Sequence, residues 1–211
     1  MGWPIKRVDL GVVEYERAAR DMREWVVQRQ EGRVDDRLFL LSHPSVVTYG
    51  PQTRPDELPP ETAGLPAIPV DRGGYATYHG PGQLVGYLVL DVRERGPVDI
   101  VRWLENGLVE ALADLGFATV RRDTPKGGAS LVGVWTPDGR KLVSIGMRIR
   151  GGVTSHGFAL NVDPDMAAFH AFTACRLADV TMVSLREIAL EQGKAVPSDA
   201  EVRDAVAAAL C

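Results

Sequence analysis

From Leu131 to Val162 the chain has no room for a helix: Leu131 to Thr136, Lys141 to Arg150 and Val153 to Val162 read as strands, and Pro137-Asp138-Gly139 makes a sharp hairpin turn between the first two. That run commits most of the second half to sheet. Upstream, Tyr15, Ala18, Ala19, Met22, Trp25 and Val26 recur at three-to-four spacing, one apolar stripe of a scaffold helix. Val98, Val101, Leu104, Leu108, Ala111, Leu112 and Leu115 do the same, with Gly116 as terminator. Arg37 to Leu41 and Val46 to Tyr49 read as short strands, and the His43-Pro44 step between them forbids one continuous ladder, so the chain must bend there.

Pro51 to Pro66 holds five of the fourteen prolines without periodicity and reads as a surface loop. Tyr75 to His79, Leu84 to Leu90 and Ala118 to Arg121 are further strand expectations. Leu185 to Glu191 reads as a short helix. Ser198 with Glu201 forms a capping-box pattern that opens a last amphipathic helix through Val202, Val206 and Leu210. Strands without regular strand–helix alternation favour an α+β fold in a single domain over residues 1–211.

Composition bounds the function. Hydrophobic residues at 45% and charged residues at 25% describe an ordinary globular chain, and 211 residues suffice for a sizeable core. A formal charge of -4, with both signs interspersed, argues against a nucleic-acid footprint. Cys175 and Cys211 form no CxxC, so neither a zinc knuckle nor a disulfide framework is suggested and a reducing cytoplasm fits. No segment has the length and apolarity of a signal peptide or a bilayer span, and Trp3 and Lys6 do not suit a myristoylation signal. The four histidines form no HExxH, so no metal is expected.

Three places hold candidate chemistry. Arg72-Gly73-Gly74-Tyr75-Ala76-Thr77-Tyr78-His79-Gly80-Pro81-Gly82-Gln83 concentrates glycines that let backbone approach a ligand, yet it is neither GxGxxG nor GK[ST], which disfavours ATP or NAD; a bulged edge strand is its bland reading. Lys141 shares one strand face with Val143, Ile145 and Met147, unusual for an idle lysine, although the adjacent turn also allows an exposed edge position. Cys175 follows aromatics and precedes Arg176, where a neighbouring cation would favour the thiolate; a buried inert thiol is the alternative.

The same residues carry a resemblance. His43-Pro44-Ser45-Val46-Val47-Thr48-Tyr49-Gly50, the Arg72 to Gln83 segment, Gly133-Val134-Trp135, Lys141-Leu142-Val143-Ser144-Ile145-Gly146 and His156-Gly157-Phe158-Ala159-Leu160-Asn161 stand in one order, followed by Asp165, Phe169 and Cys175. Together they resemble the lipoate-protein octanoyltransferase family, related to biotin and lipoate ligases. Where that family generally shows Pro-Cys-Gly, this chain has Ala174-Cys175-Arg176.

The resemblance implies a mixed, curved β-sheet covered by helices, in a cytoplasmic monomer without cofactor. It implies transfer of octanoyl from octanoyl-acyl carrier protein to a lysine on apo lipoyl domains of 2-oxoacid dehydrogenase and glycine cleavage complexes. Cys175 would be the acyl-accepting nucleophile and Lys141 its activator. Arg72, Gly73, Gly74, Tyr78, His79, Gly80, Ser144, Ile145, Gly146, His156, Gly157 and Ala159 would bind substrate, with N–H groups of Gly73-Gly74 or beside Cys175 as oxyanion donors. Acidic substrates would need a local basic patch from Arg72, Arg121, Arg122, Arg140, Lys141, Arg148 or Arg150. The rivals are an ATP-dependent lipoate ligase, which needs no nucleophilic Cys175, and a non-catalytic lipoyl-domain binding module.

Overall fold

Residues 4–172, 174 and 180–211 are described by the computed structural model, and Cys175 lies outside them. Seven strands form the main sheet in the order β1-β2-β6-β10-β9-β8-β7: β1 (Lys6–Val12), β2 (Arg37–Ser42), β6 (Gln83–Val89), β10 (Val153–Asn161), β9 (Lys141–Arg150), β8 (Gly133–Trp135) and β7 (Val120–Arg121). Only β1 and β2 pair in parallel; every other neighbour is antiparallel. A second sheet has β3 (Val46–Tyr49) at its centre, parallel to β4 (Ala67–Pro69) and antiparallel to β5 (Thr77–His79). Ser42 ends β2 in one sheet and Val46 opens β3 in the other, so the bend expected at His43-Pro44 is where the chain changes sheets.

The main sheet is covered on both faces, and strand alternation decides what each face buries. Leu38 and Leu40 of β2 and Leu84 and Leu88 of β6 join Ile100, Leu104 and Leu108 of α2 (Pro97–Asp114), Ile188 of α3 (Leu185–Glu191) and Val206 of α4 (Asp199–Leu210). Phe39, Leu41, Val85, Tyr87 and Val89 point the other way, to Ala18 and Met22 of α1 (Tyr15–Gln30). Fully burying one such side chain contributes about 1.5–3 kcal/mol, which makes these two layers the main source of stability. A third cluster joins Val47 and Tyr78 of the small sheet to Ala168, Phe169 and Ala174.

Two strands escape the sequence pattern. β1 is a largely exposed edge without clean alternation, and β4 is three residues long in a stretch expected only to lead out of the proline loop, which itself holds two 3-10 turns, Pro55–Glu57 and Glu61–Ala63. The capping box expected at Ser198 with Glu201 forms, and Ser184 with Glu187 makes another that the sequence reading did not name. Among the described residues no helix is long and apolar enough to cross a membrane, and no group of three metal-ligating side chains gathers.

Candidate active site

A cavity opens on the α1 side of the main sheet, between that face and the small sheet. β6 supplies Val85 and Tyr87; β9 supplies Lys141, Ser144, Ile145 and Gly146; β10 supplies His156, Gly157, Phe158 and Ala159. Arg72, Gly74, Tyr75, Thr77 and His79 close it from the small-sheet side, with Tyr15 from the start of α1. The wall depends on a close approach. Gly73 N–H donates to the Met147 carbonyl at 3.2 Å, and a Cβ on Gly146 would sit 2.7 Å from the Gly73 carbonyl oxygen, so only glycine in β9 lets the Arg72-Gly73 loop lie against the strand.

That bond also removes the Gly73 N–H as an oxyanion donor. Its carbonyl accepts from Arg72 Nη1 at 3.0 Å, and Gly73 itself does not line the cavity. Tyr78 and Gly80 do not line it either. Tyr78 is 1% exposed, packs edge-on against Phe169 and shares a 3.0 Å hydrogen bond with Ser45; a Cβ on Gly80 would collide with the Tyr78 hydroxyl, so the two positions fit each other.

Behind the wall runs a hydrogen-bond chain whose directions follow from its chemistry. Gln83 Nε2 donates to the Tyr78 carbonyl (3.0 Å) and to Asn161 Oδ1 (2.9 Å), so Gln83 Oε1 is left to accept from His79 Nδ1 at 2.8 Å. His79 Nε2 is then the acceptor, and Thr48 Oγ1 donates to it at 3.1 Å while taking a bond from Arg72 Nη2 at 2.8 Å. At the far end Asn161 Nδ2 donates to the Val183 carbonyl at 3.1 Å. Burial, reinforced by the neighbouring Arg72 charge and by the unfavourable cost of a second proton beside His43, pushes His79 well below the ordinary histidine pKa. His79 is therefore a neutral ring with both nitrogens engaged.

The other imidazoles are also neutral. His43 Nδ1 donates to the Val13 carbonyl at 2.6 Å and Nε2 accepts from the Tyr87 hydroxyl at 2.7 Å, and burial lowers the His43 pKa. Burial also lowers His156, against the pull of Asp71, whose Oδ1 lies 3.1 Å from Nε2. His156 has φ 59°, a left-handed backbone uncommon for a residue with a side chain. Burial would raise the Asp71 carboxyl, but the His156 bond and the Arg148 charge outweigh it and hold it low.

Tyr15 stacks on His79 at 6.1 Å between ring centroids and meets His43 edge-on at 5.1 Å; burial pushes its phenol up to about 12. Tyr15, Tyr87 and Thr77 are among the lining residues that sequence reasoning missed, with Tyr75, Val85, Ser130, Val132 and Phe158. Tyr15 looked like the first residue of a scaffold stripe. Tyr87 shared a signal that was available, since it alternates with Val85 from Gln83 along β6. Thr77 Oγ1 is buried, with no hydrogen-bond partner among the described residues, in a side chain 6% exposed on the cavity wall.

Lys141 is 3% exposed, which corrects the edge-strand alternative. Its Nζ lies 5.1 Å from the centroid of the buried Trp135 ring. Its backbone is clamped on both sides: Lys141 N–H donates to the Thr181 carbonyl at 2.9 Å, and Val183 N–H donates to the Lys141 carbonyl at 3.0 Å. Gly133 sits under its stem at φ 140°, where a Cβ would come within 2.9 Å of Lys141 Cε. Glu105 of α2 holds that glycine, accepting its N–H at 2.9 Å; burial raises the Glu105 carboxyl, with the Gly133 bond and Arg121 pulling it back.

The arginines expected to form one patch are divided. Arg140 pairs with Asp138 and Glu191, Arg121 with Asp123, Arg122 covers Trp135, and Arg72 is buried in the chain described above. Arg148 and Arg150 instead edge a separate groove.

Residues 17–211 match the family model described as lipoyl protein ligase A/B catalytic domain. The octanoyltransferase of Frankia casuarinae is 45% identical over 188 residues, covering 88% of this chain and 85% of that protein. That of Mycobacterium tuberculosis is 44% identical over 207 residues, covering 96% and 84%. Among solved structures, lipoate-protein ligase A bound with ATP superposes with a TM-score of 0.72 at 15% identity, covering 99% of this chain and 84% of that one. The lipoate protein ligase homologue Ta0514 of T. acidophilum, with bound lipoic acid, gives 0.75 at 15% identity, covering 99% and 84%; at such identities the likeness concerns the fold. The mixed sheet with helices on both faces, the matched length and the curated relatives agree: the chain belongs to the lipoyl protein ligase A/B catalytic domain family and is an enzyme of its octanoyltransferase kind.

Proposed function

We propose that this enzyme moves an octanoyl group from octanoyl-acyl carrier protein to a lysine of apo lipoyl domains, through a thioester on Cys175. The observation that carries the reading is Lys141: a lysine 3% exposed, on the cavity wall, with its backbone clamped by Thr181 and Val183, the stretch that follows Cys175 in the chain. On the other side of Cys175, Ala174 is buried against the small sheet that carries Thr77 and His79. Described residues on both sides of Cys175 in the chain thus pack on elements that line the cavity, which supports Cys175 as its nucleophile.

In the first step the Cys175 thiolate attacks the donor's carbonyl carbon. A C–S bond forms, the C–S bond to the carrier breaks, and the carrier thiol leaves and takes up a proton. One thioester replaces another, so no ATP is required. In the second step the neutral amine of the target lysine attacks the acyl-enzyme, a C–N bond forms, the amine's proton is released and Cys175 departs as thiolate. Lys141 acts in both, its charge favouring thiolate sulfur and its ammonium passing protons. Thr77, whose hydroxyl on the wall has no partner among the described residues, donates to the acyl carbonyl, the role that the engaged Gly73 N–H does not fill. Arg72, Gly74, Ser144 to Gly146 and His156 to Ala159 shape the path of the acyl chain; burying it contributes roughly 0.8 kcal/mol per CH₂.

The test is intact mass after mixing the protein with octanoyl-acyl carrier protein, without ATP or acceptor. Wild type is expected to gain one octanoyl group and Cys175→Ala none. Equal transfer activity in the two proteins would rule out the covalent route.

A further inference from the structure

Next to the cavity, and sharing Tyr15 and His156 with it, lies a groove of about 950 Å³ between α1 and β4. Its apolar floor comes from Met22, Val26, Ile68 and Val70. Its rim does not follow the net charge of the chain. α1 contributes Arg20 and Arg23, three residues apart and so on one helix face, and the end of β9 contributes Arg148 and Arg150, two apart and so on one strand face. The carboxylates lining the groove are Glu16 and Asp71, and Asp71 is already bonded to Arg148 and His156. Arg20, Arg23 and Arg150 are exposed, and none has a carboxylate within 4.0 Å among the described residues. The neighbourhood keeps its shape: Gln30 Nε2 at the end of α1 donates to the Arg150 carbonyl at 2.7 Å.

We infer that this groove is the docking site of the acyl donor, with the phosphodiester at the root of the carrier's phosphopantetheine arm, and the acidic carrier surface around it, held by Arg20, Arg23 and Arg150. The inference rests on the function proposed above. Both macromolecular substrates are acidic, so what decides between them is the group that must enter beside the rim. In the acceptor that group is a lysine, a cation until it loses its proton, which an arginine rim disfavours. The donor presents an anion at the base of a neutral arm, which suits arginine at the rim and apolar side chains along the floor. The shared residues Tyr15 and His156 are where the arm passes from groove to cavity, so the thioester reaches Lys141 while the phosphodiester stays outside. The acceptor lysine then arrives by another face, and the net charge of -4 does not oppose donor docking because the groove's own excess is positive.

The test uses the exposed arginines and spares Arg148, which holds Asp71. Arg20→Glu/Arg23→Glu and Arg150→Glu are assayed with octanoyl-acyl carrier protein and with octanoyl-pantetheine, which lacks both the phosphate and the carrier. For the carrier-bound donor, KM is expected to rise tenfold or more and its salt dependence to flatten. KM for octanoyl-pantetheine and for the lipoyl domain should stay within twofold. A rise in KM for the lipoyl domain, or unchanged carrier kinetics, overturns the assignment. Binding of acyl carrier protein, with and without its phosphopantetheine arm, to wild type and variants is measured without turnover. If wild type binds the armed carrier through these arginines yet transfers nothing, the proposed reaction fails and the groove stands.

Discussion

His79 Nδ1 donates to Gln83 Oε1 across 2.8 Å, and this bond fixes the tautomer of a histidine that would otherwise look like the general base of the site. The other ring nitrogen accepts from Thr48, so the ring has no lone pair to offer a substrate. His79 and Gln83 are positioning residues that tie Arg72 on one wall to Val183, whose N–H holds the Lys141 carbonyl.

The first prediction concerns that chain. Gln83→Ala strands the His79 N–H and the Asn161 carboxamide oxygen in a buried setting, at a cost of about 1–3 kcal/mol for each group left unsatisfied. Chemical denaturation is expected to register the loss. Transfer should slow as well, though Gln83 does not line the cavity. His79→Gln, which keeps a donor and an acceptor, is expected to lose less than His79→Ala; equal losses would show that the ring does more than position.

Thr77 predicts opposite effects on stability and activity. Its buried hydroxyl, without a partner among the described residues, costs stability in the unliganded enzyme, so the isosteric Thr77→Val is expected to unfold at a temperature a few degrees higher, a gain of roughly 1 kcal/mol. The same change removes the donor proposed for the acyl carbonyl and should lower kcat/KM by about ten- to hundredfold. Thermal scans and steady-state kinetics on one preparation decide it, and a destabilised but fully active variant contradicts the assignment.

Gly133 supports Lys141 from below. Its φ of 140° disfavours any side chain, and a Cβ would press on the Val143 carbonyl at 2.4 Å and on Lys141 Cε at 2.9 Å. Gly133→Ala is expected to cost about 1–3 kcal/mol and to displace the Lys141 stem, with a sharp fall in acyl-enzyme formation. Glu105→Gln, which still offers an oxygen to the Gly133 N–H, should leave that step nearly intact.

Stability should fall on the acid side of neutrality. His43, His79 and His156 all have folded pKa values below the ordinary value of about 6.5, so above it both states are neutral and nothing is lost. Below it the unfolded chain takes up protons that the folded rings refuse. Each refusing ring then removes up to about 1.4 kcal/mol per pH unit until its own folded pKa is reached. Asp71, held low, adds a further loss only below about pH 4. Denaturation from pH 8 to pH 5 tests the slope, and His43→Gln should lessen it by up to one proton.

Much of the fold was legible because strands and helices announced themselves by period. Val85 and Leu88 can be assigned to opposite faces from alternation alone, and the His43-Pro44 step located the change of sheet. β1 and β4 were not legible because edge strands without a buried face carry no alternation to read. In the site, the glycine-rich segment pointed to a wall but not to which side chains face it. Tyr78 and Gly80 fill each other's space away from the cavity, while Thr77 and His79, which flank Tyr78, line it. Tyr15 was hidden because one residue both begins the stripe of a helix and covers a pocket. Cys175, the nucleophile that the resemblance implies, lies outside the described residues.

Lys141 offers the last and most direct prediction. A buried ammonium over the Trp135 ring is costly to desolvate, so Lys141→Met, similar in length and able to pack on the same ring, is expected to fold at least as stably as wild type. If its charge serves only packing, acyl transfer survives the change. If the charge favours thiolate on Cys175, the pH profile of thiol alkylation moves to higher pH and acyl-enzyme formation slows by about a hundredfold or more. The second outcome is expected on the proposed function, because Thr181 and Val183, which follow Cys175 in the chain, hold the Lys141 backbone on both sides. Unchanged alkylation with slowed transfer would leave Lys141 with proton transfer alone.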